Sequence, residues 1–135
     1  RDIEHFHGAV KTERGRPWLA SRPSPFGSAL RPGDIARIRL VVEARAAVER
    51  AVVEERLPAG LELVSVEPAP GWHVAPPGDG LVRLCADTAP AGRHASVIVA
   101  RVRLAGTFES PGPRAWLDGA PGTASRGEGA RLRVE

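Results

Sequence analysis

Asparagine, glutamine, methionine and tyrosine are missing from this chain, lysine and cysteine each occur once (Lys11 and Cys85), and aromatic residues make up only 4%. Each gap closes something off. A single thiol cannot form an intrachain disulfide, so no disulfide framework holds the fold and the redox compartment stays open. Three Phe and three Trp are too few to line a large cofactor pocket, and the apolar content rests instead on Ala, Val and Leu, a small-grained set suited to packed sheets. No cofactor is expected. No apolar run approaches the roughly 20 residues of a membrane helix, and no signal-peptide pattern opens the chain, so no membrane insertion is expected. The start at Arg1 instead of Met suits a processed mature protein and an excised domain equally.

The missing amides fit a hot or harsh habitat; a GC-rich genome accounts equally for the abundance of Arg, Ala, Gly and Pro. The formal charge of +3 is spread along the chain, with arginines interspersed among Glu and Asp. A nucleic-acid binder gathers its basic residues into a patch with interleaved aromatics; the linear pattern shows none, and no nucleic-acid partner is expected.

What is present is alternation. At 135 residues the chain is one domain by size, able to bury roughly two-thirds of its unfolded surface. From Ile35 onward the apolar period is two. Ile38, Leu40 and Val42 alternate with Arg37 and Arg39, and Ala51, Val53 and Leu57 alternate with Val52, Glu54 and Arg56, as half-buried strands require. The turn RPGD, a strand, a second strand closed by Leu-Pro-Ala-Gly and a third strand predict one edge-to-edge β unit. A helix across EARAAVERAVVEERL is the competing reading, because the segment is rich in helix formers. No cap residue precedes it, and Pro58 with Gly60 close it like a strand-to-turn exit.

Further strands are predicted at residues 61–66, 71–74, 81–86, 95–104, 114–117 and 130–134, separated by connectors of Pro, Gly and Asp, the residues turns demand. HASVIVARVRLAG, apolar on both faces near its middle, is the expected central strand. Residues 118–129 are polar and glycine-rich and predict a mobile loop. Residues 1–30 stand apart as an N-terminal arm or an edge strand plus a long connection: a short alternating piece, Ile3 to Val10, then a stretch punctuated by Pro17, Pro23 and Pro25 that cannot serve as a central strand. Residues 31–135 form the predicted domain, an all-β antiparallel sandwich of about 7–9 strands.

Residues 31–117 resemble the conserved-repeat domain of prokaryotic cell-surface proteins. In that family a PGD turn introduces the first strand, the second ends in an acidic residue, one further residue and Leu-Pro-x-Gly-Leu, and a Trp follows about a dozen residues on. The matching residues are Pro32, Gly33, Asp34, Glu55, Leu57, Pro58, Gly60, Leu61 and Trp72. The later segment PAGRHASVIVARVRL is similar to the family's last long strand. The C-terminal part also looks like the terminal sandwich of bacterial alpha-macroglobulins, in which a Gly-Thr-Phe strand leads into a Pro-bearing turn; Gly106, Thr107, Phe108 and Pro111 match. The thioester motif of those proteins is absent from the chain. Both resemblances imply an Ig-like β-sandwich outside the cytoplasm, extracellular or on the cell surface, and neither supplies a catalytic residue.

Candidate chemistry is sparse. Glu4-His5-Phe6-His7 on a strand aims His5 and His7 the same way, half of a divalent-metal site if His73 or His94 closes on it; two ligands alone make no site. No Gly-x-Ser-x-Gly elbow exists, and Ser96 falls in mid-strand. Glu54 and Glu55 point to opposite faces, which rules them out as a paired-carboxylate hydrolase site. Asp79, Asp87 and Asp118 lack the spacing of a calcium loop. Cys85 reads as a small packed side chain. Trp18, Trp72 and Trp116 suggest a carbohydrate-stacking platform, but the neighbours of Trp72 and Trp116 favour packing into the sandwich.

The function these patterns support is a non-enzymatic structural or adhesive module of a cell-surface assembly, with protein partners and self-association. Its sharper form is a filament joined by strand addition through Ile3, His5, Phe6, His7 and Val10. The alternatives are a carbohydrate- or small-ligand-binding module and a domain of a larger envelope or protease-trapping protein.

Overall fold

A computed structural model of the chain describes residues 2–13, 16–20, 30–44, 46–76, 78, 80–118, 125–126 and 130–134, with the backbone alone at 2–13, 16–20, 125–126 and 130–132. Strands account for most of the described residues. In chain order they are β1 (Asp2–Glu13), β2 (Arg16–Ala20), β3 (Ile35–Ala44), β4 (Val48–Arg56), β5 (Leu61–Glu67), β6 (His73–Val74), β7 (Leu81–Ala89), β8 (Gly92–Val102), β9 (Gly106–Ser110), β10 (Arg114–Leu117), β11 (Ser125–Arg126) and β12 (Ala130–Val134). One sheet has the order β2-β1-β3-β8-β5, a second β11-β10-β4-β7-β6, and β12 pairs with β9 in a separate ribbon. This is the predicted all-β sandwich, with more strands than the expected 7–9 because β1 and β2 extend the first sheet, β9 forms a ribbon with β12, and β11 is a two-residue edge piece.

Alternation builds the core. Ile38, Leu40 and Val42 of β3 and Ile98 of β8 pack in one apolar cluster with Ala51 and Val53 of β4 and Val82 and Leu84 of β7. The segment that also suits a helix is strand β4, paired residue by residue with β7. Two apolar stripes at a period of two match two facing sheets; a helix would have scattered them around its circumference.

Three sequence expectations are corrected. First, β3, β4 and β5 are not an edge-to-edge unit. β3 pairs with β8, β4 with β7 and β10, and β5 with β8, so the chain crosses between sheets at each step. Pairing β3 with β4 in one hairpin would put both apolar stripes on the same side of a single sheet; the arch lets each bury the other. Second, the sandwich is not wholly antiparallel. β1 runs parallel to β3 from Asp2↔Ile35 to Thr12↔Ala44, and β2 pairs antiparallel with β1; a parallel pair cannot be closed by a tight turn, so β1 and β3 are not consecutive in the chain. Third, part of 118–129 is ordered as β11, which pairs with Arg114 and Ala115; the rest of that predicted mobile loop lies outside the described residues. The expected central strand, β8, does sit between β3 and β5, with Ile98, Val99 and Ala100 all buried.

The two family turns meet at one end of β8. Gly33 takes φ 93°, a left-handed conformation that glycine adopts without steric cost, and its N–H donates to the Val102 carbonyl at 2.8 Å while the Val102 N–H donates to the Asp34 carbonyl at 2.8 Å. The Asp34 carboxylate accepts from the Arg31 N–H at 2.9 Å. Beside it the Arg103 N–H donates to the Gly60 carbonyl at 2.8 Å. The Phe108 ring lies so close to Gly60 that a Cβ there would stand 2.5 Å from its Cε2. A small second cluster, Leu30, Ala36, Val102 and Val134 with Leu61 and Phe108, seals this end. The acidic residue of the Leu-Pro-Ala-Gly motif, Glu55, is 1% exposed and accepts from the Ser110 hydroxyl at 3.1 Å, tying β4 to the end of β9.

Gly60→Ala is therefore expected to lower stability by about 1–3 kcal/mol through overpacking against the Phe108 ring. Combining it with Phe108→Leu should recover part of that loss. A urea-melt double-mutant cycle reads the coupling directly; purely additive effects would show that the close approach is not what makes Gly60 necessary.

Candidate functional site

The richest cluster of polar and aromatic groups lies on the outer face of the second sheet. Strand alternation that sends Ala51, Val53 and Glu55 inward sends Val52, Glu54 and Arg56 outward, and register then sets their neighbours. Arg114 of β10 lies across from Glu54 of β4, and Glu54 lies across from Arg83 of β7, so one row reads Arg-Glu-Arg. The next row is Trp116, Val52 and Cys85 with His73 of β6 beyond.

Arg83 donates through Nε and Nη2 to Glu54 Oε2 at 3.3 and 3.0 Å. Arg114 Nη1 stands 3.9 Å from Glu54 Oε1, an ion-pair distance too long for a hydrogen bond. Both guanidinium groups converge on the Trp116 ring, with Cζ atoms 5.5 Å (Arg83) and 5.1 Å (Arg114) from its centroid, within cation–π range. Val52 is only 8% exposed despite its outward position. A groove of about 190 Å³ continues from this cluster, lined by Glu54, Arg56, Leu81, Pro111, Gly112 and Arg114.

Cys85 shares this face and is half-buried. Burial pushes its thiol above the ordinary range; Arg83 pulls it down, and the Asp118 and Asp87 carboxylates push it up again. That thiol is protonated at neutral pH and a weak nucleophile, in keeping with the packed role expected of it.

The tryptophans do not form a common platform. Trp72 is 7% exposed and belongs to the main core, its ring tilted against His94 with centroids 6.1 Å apart. Trp116, expected in the packing, instead lies half-buried on the outer face between two arginines, because its strand partner Val52 is an outward residue. Trp18 belongs to β2, whose side chains lie outside those described.

His5, His7, Ile3, Phe6 and Val10 all fall on β1, where the backbone pairing is described and the side chains are not. His5 is registered to Ile38 and Phe6 to Arg39, and the register shifts between Phe6 and Gly8, leaving His7 as an extra residue that interrupts strict alternation. Of the residues considered for closing a metal site, His94 commits Nε2 to the Pro90 carbonyl at 2.8 Å and His73 is on the short edge strand β6. No group of three His, Cys, Asp or Glu side chains able to hold a metal occurs among the described residues. Asp79 lies outside them. Glu54 and Glu55 do occupy opposite faces, and Ser96 is spent accepting the Ala69 N–H at 2.9 Å. Among the described residues no helix is long and apolar enough to cross a membrane.

Two five-stranded sheets around one apolar core define a β-sandwich, and a solved structure shares it: a non-cellulosomal cohesin from the hyperthermophilic archaeon Archaeoglobus fulgidus, similar over 100% of this chain and 92% of its own length, with a TM-score of 0.56 and 12% identity. At that identity the likeness speaks for the fold. No curated protein matches the chain. A family model, the bacterial alpha-2-macroglobulin MG10 domain, matches residues 8–117, and the chain belongs to that family. The match agrees with the alpha-macroglobulin resemblance carried by Gly106, Thr107, Phe108 and Pro111, and extends it back to β1.

Trp72→Ala is expected to cost about 3–5 kcal/mol as a core truncation, and Trp116→Ala about 1 kcal/mol, the worth of exposed cation–π contacts; thermal melts of the two variants separate them. Alkylation of Cys85, followed by mass spectrometry across a pH series, should reach its half-maximal rate at higher pH than a free cysteine. Arg83→Ala should move that midpoint higher still, since it removes the one charge that favours the thiolate.

Proposed function

We propose that this chain is a non-enzymatic, extracytoplasmic protein-interaction module, one domain of a larger alpha-macroglobulin-like envelope protein, working by packing its sheet faces against neighbouring domains. The observation that carries this reading is the family match over residues 8–117, which spans strands of both sheets. The geometry supports it. The groove on the second sheet is open and polar, suited to a surface contact, and the carboxylates and the thiol sit in structural or guarded positions. The strand-addition form of the idea assigns Ile3, His5, Phe6, His7 and Val10 to an exchanged strand. In the structure β1 completes its own sheet over ten residues of β3, which favours an arm docked at home.

Two measurements test the reading. Cross-linking of intact source cells with a membrane-impermeant reagent is expected to join this domain to other domains of its own polypeptide or of an envelope partner; protection of the domain from that reagent would overturn the extracytoplasmic placement. Light scattering is expected to give one mass across a wide concentration range. A ladder of masses that disappears when residues 1–12 are deleted would instead favour strand exchange.

A further inference from the structure

We propose that the outer face of the second sheet docks an acidic, partly apolar peptide segment of a partner, with carboxylates received by Arg56 and Arg114 and apolar side chains laid against Trp116. The inference deepens the interaction-module reading and rests on it.

Charge and donor accounting point there. Three arginines, Arg56, Arg83 and Arg114, face one acid, Glu54, leaving a surplus of two positive charges around the groove. Arg83 commits Nε and Nη2 to Glu54 Oε2. Arg114 touches the same carboxylate only at 3.9 Å, so its planar fork is open to another acceptor. Arg56 is exposed and forms no ion pair with a described residue. Two guanidinium forks at the walls of one groove are the donors that bind carboxylates bidentately. Register places Arg126 of β11 across from Arg114, adding a further basic residue to the row.

Shape and polarity choose the occupant. Leu81 and Pro111 line the groove, and Trp116 adjoins it with its ring pinned by two cations, so apolar groups are welcome beside the charges. Along the strands the face changes sign, since the Asp87 and Asp118 carboxylates both act on Cys85 of this face and the Asp118 N–H donates to the Arg50 carbonyl at 2.8 Å. A continuous polyanion laid along the face would meet those acids; a short segment with spaced carboxylates does not. A small anion would lack the enclosure that makes such binding tight.

The test titrates the full chain, labelled with nitrogen-15, with an acetylated, amidated Leu-Glu-Leu-Asp-Leu-Glu peptide at low salt. Chemical-shift changes are expected on β4, β7 and β10 and at the indole of Trp116, weakening as salt rises. The Arg56→Ala, Arg114→Ala double variant should bind at least roughly tenfold more weakly, while Arg103→Ala, which breaks an exposed pair with Glu62 on the other sheet, should bind as the parent does. Melting curves verify that each variant is folded. Unchanged affinity in the double variant, shifts confined to the other sheet, or equal competition by inorganic phosphate or a single-stranded oligonucleotide would overturn the proposal. Absence of any peptide binding, with the envelope cross-links intact, would sink this inference and leave the module reading standing.

Discussion

Everything in this domain follows from the requirement that the apolar stripes of β3 and β4 bury each other. Neither stripe is wide enough to satisfy itself within one sheet, and facing them across a shared layer, with β8 and β7 alongside, produces the main cluster that runs from Ile38 to Ala115. Once inward positions are fixed, outward ones are fixed with them, because a strand has only two sides. Glu54, Arg56 and Val52 are on the surface for the same reason that Val53 and Ala51 are not. The candidate site is thus the reverse side of the core, its spacing set by packing on the far face.

Much of this was legible from alternation. The stripes of β3 and β4, the central position of β8, the opposed Glu54 and Glu55, and the strands at residues 114–117 and 130–134 all follow from period-two patterning and turn chemistry. What alternation lacks is partnership. It tells which side of a strand is apolar and nothing about which strand lies beside it, so the split of β3, β4 and β5 between two sheets and the parallel pairing of β1 were out of reach. Local backbone exceptions hide in the same way: Arg50 takes a left-handed φ of 51°, and buried positions change from Val48 to Ala51 and Val53 across it, a switch of parity no composition rule announces.

The site was legible in parts. Trp116, Glu54, Arg83 and Arg114 are far apart in sequence and come together only through the ladders β10–β4 and β4–β7, so no linear motif could display them. The family turns were visible as words without meaning. Gly60 proves to be small because the ring of Phe108 occupies the space its side chain would need, and the acid at Glu55 proves to be a buried link to Ser110. These residues preserve architecture, which is why resemblance pointed firmly to a sandwich and only broadly to a role.

The parallel β1–β3 pairing bears on how the molecule is made. During synthesis β1 and β2 emerge as a hairpin whose long free edge waits for β3, more than twenty residues downstream of the first strand's start, and β3 in turn waits for β8. Long-range pairings pay chain-closure entropy before they return contact energy, and β8 lies farther from β3 along the chain than β1 does, so β1 and β3 can pair before the central strand of their sheet has been made. Synthesis order then leaves β8 as the strand that closes the layer.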